Sequence, residues 1–294
     1  MQNYLESREE KQLEHSDLGK RMKESYENRT RYHLPRRSYQ ILRIDGRAFH
    51  TFTKGCNRPY DTVLMEDMNL AAIALCKEIQ GAKLAYVQSD EISVVITDFD
   101  SINTEAWFDN NIQKMASVSA SIVTSVFNQA RQLGSIHKFY ETYESDYGNG
   151  CDYDKIINVL KNIKQANFDS RVFTIADRQE VLNYIYWRQQ DCTRNSISMA
   201  AQSLFSHKEL QGKKSPEMMD MMMLQKGVNW NNYPIGFKRG RIIRQRQIPD
   251  TATFVNKKTQ QEETVSFERS EWFVDETPIF TQNTEYLKNI IPAL

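Results

Sequence analysis

Two short acidic clusters, Asp45-Gly46 and Ser89-Asp90-Glu91, stand at the ends of β-rich runs far apart in the chain. Carboxylates brought close together repel unless a cation neutralises them, and hard oxygen donors select magnesium. Gly46, lacking a Cβ, lets its backbone carbonyl approach a metal or a phosphate. Paired magnesium ions at such a place polarise the attacking and leaving oxygens of a phosphoryl transfer. Taken singly, Asp45 reads as a strand-end cap and Asp90 as a turn former. Their joint placement with Gly46 and Glu91 raises the catalytic reading above those bland ones.

That placement depends on the elements between them. Tyr39–Asp45 reads as a strand, and Asp61 caps a helix whose apolar positions are Leu64, Met65, Met68, Ala71, Ala72, Leu75, Cys76 and Ile79. Leu84–Gln88 and Ile92–Thr97 are short strands joined by Ser89-Asp90-Glu91, too short a link for anything but a hairpin or a kinked strand. A second long helix carries Phe108, Ile112, Met115, Ser119, Ile122, Val126 and Phe127 at helical spacing. An acidic, exposed stretch is expected around 141–154, then a strand over 171–176. Asp177 and Glu180 form a capping-box pattern opening a helix toward Asp191. A further helix is expected at 18–28, ahead of Pro35.

Strand, helix, strand, strand, helix, strand is the split βαβ, ferredoxin-like order of an α+β fold. It sets the end of the first strand beside the turn of the central hairpin, where the carboxylates meet. Such a sheet is expected to bury one face under two helices. The chain divides into an N-terminal helical arm (1–38), a catalytic unit (39–178) and a mostly helical C-terminal region (179–294) packed as one unit with it.

The 294 residues carry 38 basic and 38 acidic side chains, so net charge alone is no sign of a nucleic-acid partner. The charges are segregated, however: residues 20–43 hold a balance of +6, residues 61–111 one of −8, and residues 236–246 contain Lys238, Arg239, Arg241, Arg244 and Arg246 with no acid. The four cysteines include no CxxC pair, which argues against a zinc knuckle or a disulfide framework. The N-terminus is too charged for a signal peptide, and the most apolar stretch, Leu70–Cys76, is far too short to span a bilayer. A soluble, cytoplasmic protein without membrane contact is expected.

The runs RIDGRAFHTF (43–52), RPYD (58–61), AYVQSDEIS (85–93), FDSRVF (168–173), YWRQQD (186–191) and VNWNNYP (228–234) together resemble the tRNA-His guanylyltransferase family. The resemblance implies a polymerase-like palm that adds nucleotides to tRNA 5′ ends in the 3′–5′ direction. It implies a two-magnesium site from Asp45, the Gly46 carbonyl and Asp90, with Glu91 beside it. It places nucleotide contacts at Gly46, Arg47, Ala48, Phe49, His50, Arg58, Asp61, Ser89 and Lys114. Arg58 stands where relatives commonly carry Lys. By residue type alone Phe49 and His50 read as core, and Arg58 and Lys114 as surface charges. Candidate tRNA contacts are Arg194, Asn195, Lys208, Lys238, Arg239 and Arg241. Partners implied are tRNA, ATP, GTP or another nucleoside triphosphate, and three further copies in a homotetramer.

One departure refines this. Where eukaryotic members carry a His-Ile-Asn-Asn-Leu-Tyr-Asn run, Thr193–Met199 retains only Asn195, and Asn110 and Asn111 replace an arginine pair. The chain therefore looks like the guanylyltransferase-like branch, which repairs truncated tRNA 5′ ends by templated addition. Alternatives are addition of a single 5′ guanosine to tRNA-His, a nucleotidyl cyclase, or an inactive RNA-binding protein that kept the palm. After Asp250 no motif is recognisable; Phe267, Trp272 and Phe273 read as core or subunit contact.

Overall fold

The computed structural model describes residues 17–147, 153–255 and 261–294. Helix α1 (Asp17–Ser25) leads through a 3-10 turn, Glu27–Thr30, to β1 (Tyr39–Gly46). A short turn of helix, α2 (Phe49–Phe52), then α3 (Thr62–Glu78), precede the hairpin β2 (Ala82–Gln88) and β3 (Glu91–Thr97). Next come α4 (Ile112–Tyr147), α5 (Tyr153–Asn162), β4 (Phe168–Ile175) and α6 (Arg178–Gln202). Short helices α7 (His207–Leu210), α8 (Ser215–Lys226) and α9 (Ile235–Arg239) lead to β5 (Arg241–Val255), β6 (Glu262–Asp275) and α10 (Thr284–Ile290).

The sheet runs β4-β1-β3-β2-β5-β6, every neighbouring pair antiparallel. Its first four strands have the ferredoxin-like order read from the sequence. Asp61 caps α3, its carboxylate accepting from the Leu64 N–H, and Asp177 caps α6 in the same way through the Glu180 N–H. Both caps satisfy orphan donors at the helix start.

Three expectations are corrected. The sheet is buried on both faces: α3 and α4 cover Leu42, Ile44, Ile92 and Val94, while α6 and α10 cover Tyr39, Ile41, Tyr86 and Val95. The reason lies in β3, EISVVIT, which is buried at every position because its apolar run is nearly continuous rather than alternating. The C-terminal region is not mostly helical, since β5 and β6 form a long ribbon whose root, Arg241–Arg244, pairs with Leu84–Val87 and widens the palm sheet. Its β-branched and aromatic residues favour strands. Phe108 lies outside α4, in a left-handed turn with Asp109 and Asn110. Of the acidic stretch 141–154, residues 141–147 continue α4, and 148–152 lie outside the described residues. No helix among the described residues is long and apolar enough to cross a membrane.

Candidate active site

The ladder between β1 and β3 sets Asp45 directly opposite Glu91, and the Gly46 N–H donates to the Asp90 carbonyl at 3.1 Å. The two-residue link Ser89-Asp90 is made possible by Ser89 in the left-handed region, φ 44°. Thus the first strand's end and the hairpin turn meet as the sequence order requires. Gly46 has no room for a side chain: a Cβ there would fall 2.9 Å from Asp90 Oδ2 and closer still to the Phe49 ring. Burial, reinforced by the charges of Asp45 and Glu91, pushes the Asp90 carboxyl up to about 6. A cation beside it would reverse that cost.

No group of three or more His, Cys, Asp or Glu side chains forms a metal cage among the described residues. Two aspartates and a backbone carbonyl in a cradle without a Cβ suit a different habit. Magnesium commonly binds one or two carboxylates and takes its other ligands from water and substrate phosphates. The residues present fit it.

Glu91 is not a third free carboxylate. It is buried and accepts from Arg188 Nε at 2.7 Å and Nη2 at 2.6 Å, and it pairs with Arg43 at 2.7 Å. Gln88 and Ser93 also donate to it. Its charge is spent on two guanidinium groups, so it holds the hairpin rather than facing a reactant. Arg188, part of the YWRQQD run, had no role assigned from sequence. Only the register that faces α6 with β3 reveals it.

Beyond β1, Arg47 is exposed and its N–H donates to the Asn167 carbonyl at 2.8 Å. Ala48, at φ 51°, turns the chain into α2. Phe49 is buried among Phe52, Phe127 and Phe168, so it is core rather than an open stacking platform. A cavity of about 380 Å³ gathers Phe49, His50, Arg58, Asp61, Ser89 and Asp90 in one wall, bringing together most of the expected nucleotide contacts. Asp61 is already engaged there, its carboxylate accepting from the backbone N–H groups of Asn57 and Leu64.

Lys114 is not brought to this place. Phe168, paired with Gly46, donates to Thr124 Oγ1, so Thr124 is level with the site and about 15 Å of α4 separates it from Lys114. Lys114 instead sits 5.8 Å from the Phe108 ring at the opposite end of the sheet. The distance along the helix decides against the contact that the resemblance implied.

A second cavity, of about 240 Å³, lies against the same carboxylates, with Asp45, Asp90, Glu91, Arg188, Asn195 and Arg241 in its wall. Among the expected tRNA contacts, Arg194, Asn195 and Lys208 are exposed, Arg194 pairing with Asp191 at 3.0 Å. Lys238 and Arg241 are buried and cannot form an open RNA surface. Lys238 donates to the Asn231 carbonyl, and Arg239 lies half-buried over Trp230. Arg244 and Arg246 pair with Asp275 and Glu271 of β6. Arg244 and Arg246 are therefore neutralised internally, because β5 folds against an acid-bearing neighbour.

The comparisons with known proteins agree with this geometry. The family model described as "Thg1: tRNAHis guanylyltransferase" matches residues 19–176. A bacterial tRNA(His) guanylyltransferase (Thg1)-like protein solved in complex with ATP is 39% identical, with a TM-score of 0.73, over 94% of this chain and 99% of that one. A bacterial Thg1-like structure in complex with GTP is 37% identical, with a TM-score of 0.68 and the same coverage. The probable tRNA(His) guanylyltransferase of Dictyostelium discoideum is 25% identical over 223 residues, 72% of this chain and 77% of the relative.

Proposed function

Because the chain belongs to the tRNA-His guanylyltransferase family of nucleotidyltransferases, we propose that it extends tRNA 5′ ends in the 3′–5′ direction under template control, repairing shortened ends. The observation that carries this is the convergence of Asp45, Gly46 and Asp90 between two cavities that share Ser89 and Asp90. Two reactants can thereby address Asp90, with Asp45 on the wall of the smaller cavity. The templated branch is favoured by the loss of six of the seven His-Ile-Asn-Asn-Leu-Tyr-Asn residues over Thr193–Met199. Higher identity to the bacterial Thg1-like protein than to the Dictyostelium relative points the same way.

The chemistry has two stages. A 5′-phosphate oxygen of the RNA attacks the α-phosphorus of ATP, and pyrophosphate leaves. The 3′-hydroxyl of the incoming nucleoside triphosphate then attacks the adenylylated 5′ phosphorus, its proton is lost, and AMP leaves. ATP and GTP, the ligands of the two bacterial neighbours, are taken as substrates here. Asp45, Asp90 and the Gly46 carbonyl would hold magnesium, which when bound supplies neutralisation of charge on the phosphoryl oxygens. Arg58 and His50, on the wall of the larger cavity, hold phosphate there, and the Ser89-Asp90 turn orients it. Exposed Arg194 and Lys208 are assigned to the RNA backbone, and a homotetramer to the working assembly.

The test is labelled-nucleotide incorporation into tRNAs shortened at the 5′ end. Incorporation should require RNA, follow the opposing 3′ base when that base is changed, and vanish in Asp45→Asn and Asp90→Ala. Full addition by the Asp90→Ala protein would overturn the site. Addition of one guanosine to tRNA-His alone, whatever the opposing base, would select the guanosine-adding reading. A cyclic product formed without RNA would select the cyclase.

A further inference from the structure

The chain holds four tryptophans. Trp107, Trp230 and Trp272 are buried, between 5% and 8% exposed, whereas Trp187 is 45% exposed. Its neighbours on α6, Tyr184, Ile185 and Tyr186, pack into the core against the sheet, and Trp187 turns away from it. One exposed apolar residue needs no explanation by itself. What gives this one a role is how it is mounted and where it stands.

The Arg188 guanidinium lies 4.5 Å from the centre of the Trp187 ring, and the Tyr184 ring stands 5.8 Å away. Arg188 is itself fixed by two hydrogen bonds to Glu91, and the Tyr184 hydroxyl shares one with Ser93. The indole is therefore held on a buried charge network, so a ligand that stacks on it has little ordering to do. The same network sets its place. Glu91 stands opposite Asp45 across the β1–β3 ladder, and Arg188 lies in the wall of the cavity that holds Asp45 and Asp90. The exposed side of α6 continues from Trp187 through Gln190 to Arg194, residues that share one helix face. Arg194 lies about 10 Å further along the axis. An aromatic ring followed by an amide and a guanidinium lacks the apolar core of a protein interface. It has the make-up of a platform for single-stranded RNA, on which a base stacks and a phosphate meets the cation.

We infer that Trp187 is the stacking platform for an unpaired base of the RNA, on the strand opposite the shortened 5′ end. The inference rests on the templated extension above and deepens it. Loss of 5′ nucleotides leaves the opposing bases without partners, and a base stacked beside the carboxylates is held where an incoming nucleotide pairs with it. Stacking on an aromatic ring tolerates every base. Trp187 thus positions the template strand and leaves its identity to be read by pairing. It touches none of the reacting atoms.

Acrylamide quenching of tryptophan fluorescence reads this ring, because the other three indoles are buried. In the full-length protein, an excess of 5′-shortened tRNA should cut the quenching to near that of buried indoles. The same tRNA with abasic residues in place of its unpaired bases should bind and leave the ring quenchable. Trp187→Leu should weaken binding of the shortened tRNA by about 5- to 150-fold, and Trp187→Phe, which keeps an aromatic face, by far less. The quenching comparison uses the unaltered protein, so it decides the matter even if a variant does not fold. Protection that survives the abasic substitution overturns the platform, as does a folded Trp187→Leu protein that binds like the unaltered one. Protection without RNA that grows with protein concentration overturns it in favour of a contact between copies of the chain. If the protein incorporates nucleotide under template control while the ring of the bound complex stays quenchable, the platform fails and the function stands. If it incorporates none, the function fails, and the abasic comparison still judges the platform.

Discussion

At Gly46 the space left for one methyl group decides whether the carboxylates can meet. A Cβ would press on Asp90 and on the Phe49 ring, and Phe49 is wedged among three other aromatic rings. Neither neighbour can give way cheaply, so Gly46→Ala should destabilise the fold by about 1–3 kcal/mol. It should cost more in activity, on the order of a hundredfold, because displacing a catalytic group by a fraction of an ångström spoils alignment. Urea midpoints and nucleotide-addition rates on the same preparation read the two effects separately. The same scale separates Arg58 and His50, which face the cavity, from Phe49, which backs it. The first two are exposed on the cavity wall, whereas the ring is packed inward.

At the scale of elements, the hairpin bearing Asp90 is fastened to α6 by charge. Glu91 takes two hydrogen bonds from Arg188 and pairs with Arg43, all largely buried. Glu91→Gln would leave Arg43 without its anion and Arg188 with only Asp191, 3.1 Å from its Nη2, and should cost about 3–5 kcal/mol by chemical denaturation. Combining it with Arg188→Met should cost less than the sum of the two single changes. On the other face, Arg131 of α4 pairs with Asp67 of α3 at 2.8 Å and lies near the Phe52 and Phe127 rings. Burial raises the Asp67 carboxyl to about 6 against the pull of Arg131. The folded protein thus holds that proton more tightly than the unfolded chain, so Asp67 favours folding at low pH and ceases to as pH rises through about 6. Arg131→Met keeps the packing but removes the counter-charge, and should destabilise more at pH 8 than at pH 5. Equal destabilisation at the two pH values in thermal melts would show that Asp67 is not the responsible group.

For the molecule as a whole, zero net charge hides cations that differ in availability. Arg36 pairs with Asp98, Arg43 with Glu91, and Arg244 and Arg246 with acids of β6. The opposed blocks seen along the chain are partly folded against one another. Exposed Lys208 and buried Lys238 therefore make different predictions. RNA binding should weaken with salt, and Lys208→Ala should reduce the logarithmic salt slope by about one. Lys238→Ala should leave the slope unchanged and lower the melting temperature instead, because its ammonium donates to the Asn231 carbonyl over Trp230.

The palm order, the caps at Asp61 and Asp177, and the meeting of Asp45 with Asp90 were legible in the sequence. Those features follow from local periodicity, from turn chemistry and from a chain order that leaves few topologies open. The RIDGR, SDE and WRQQD runs likewise pointed to the family. Other facts belong to distances between segments remote in sequence, which no local pattern encodes. Lys114 shares a helix with the residues that pack behind the site, yet its rise along that helix carries it to the far end of the sheet. Arg241 sits in a basic run that reads as surface, yet β5 pairs with β2 and carries it inward beside Asn69. Glu91 stands next to Asp90 in sequence, and only the packing of α6 across the sheet shows that its charge is already taken. Residue type and spacing determined which chemistry was available; burial and pairing in three dimensions decided which side chains were free to perform it.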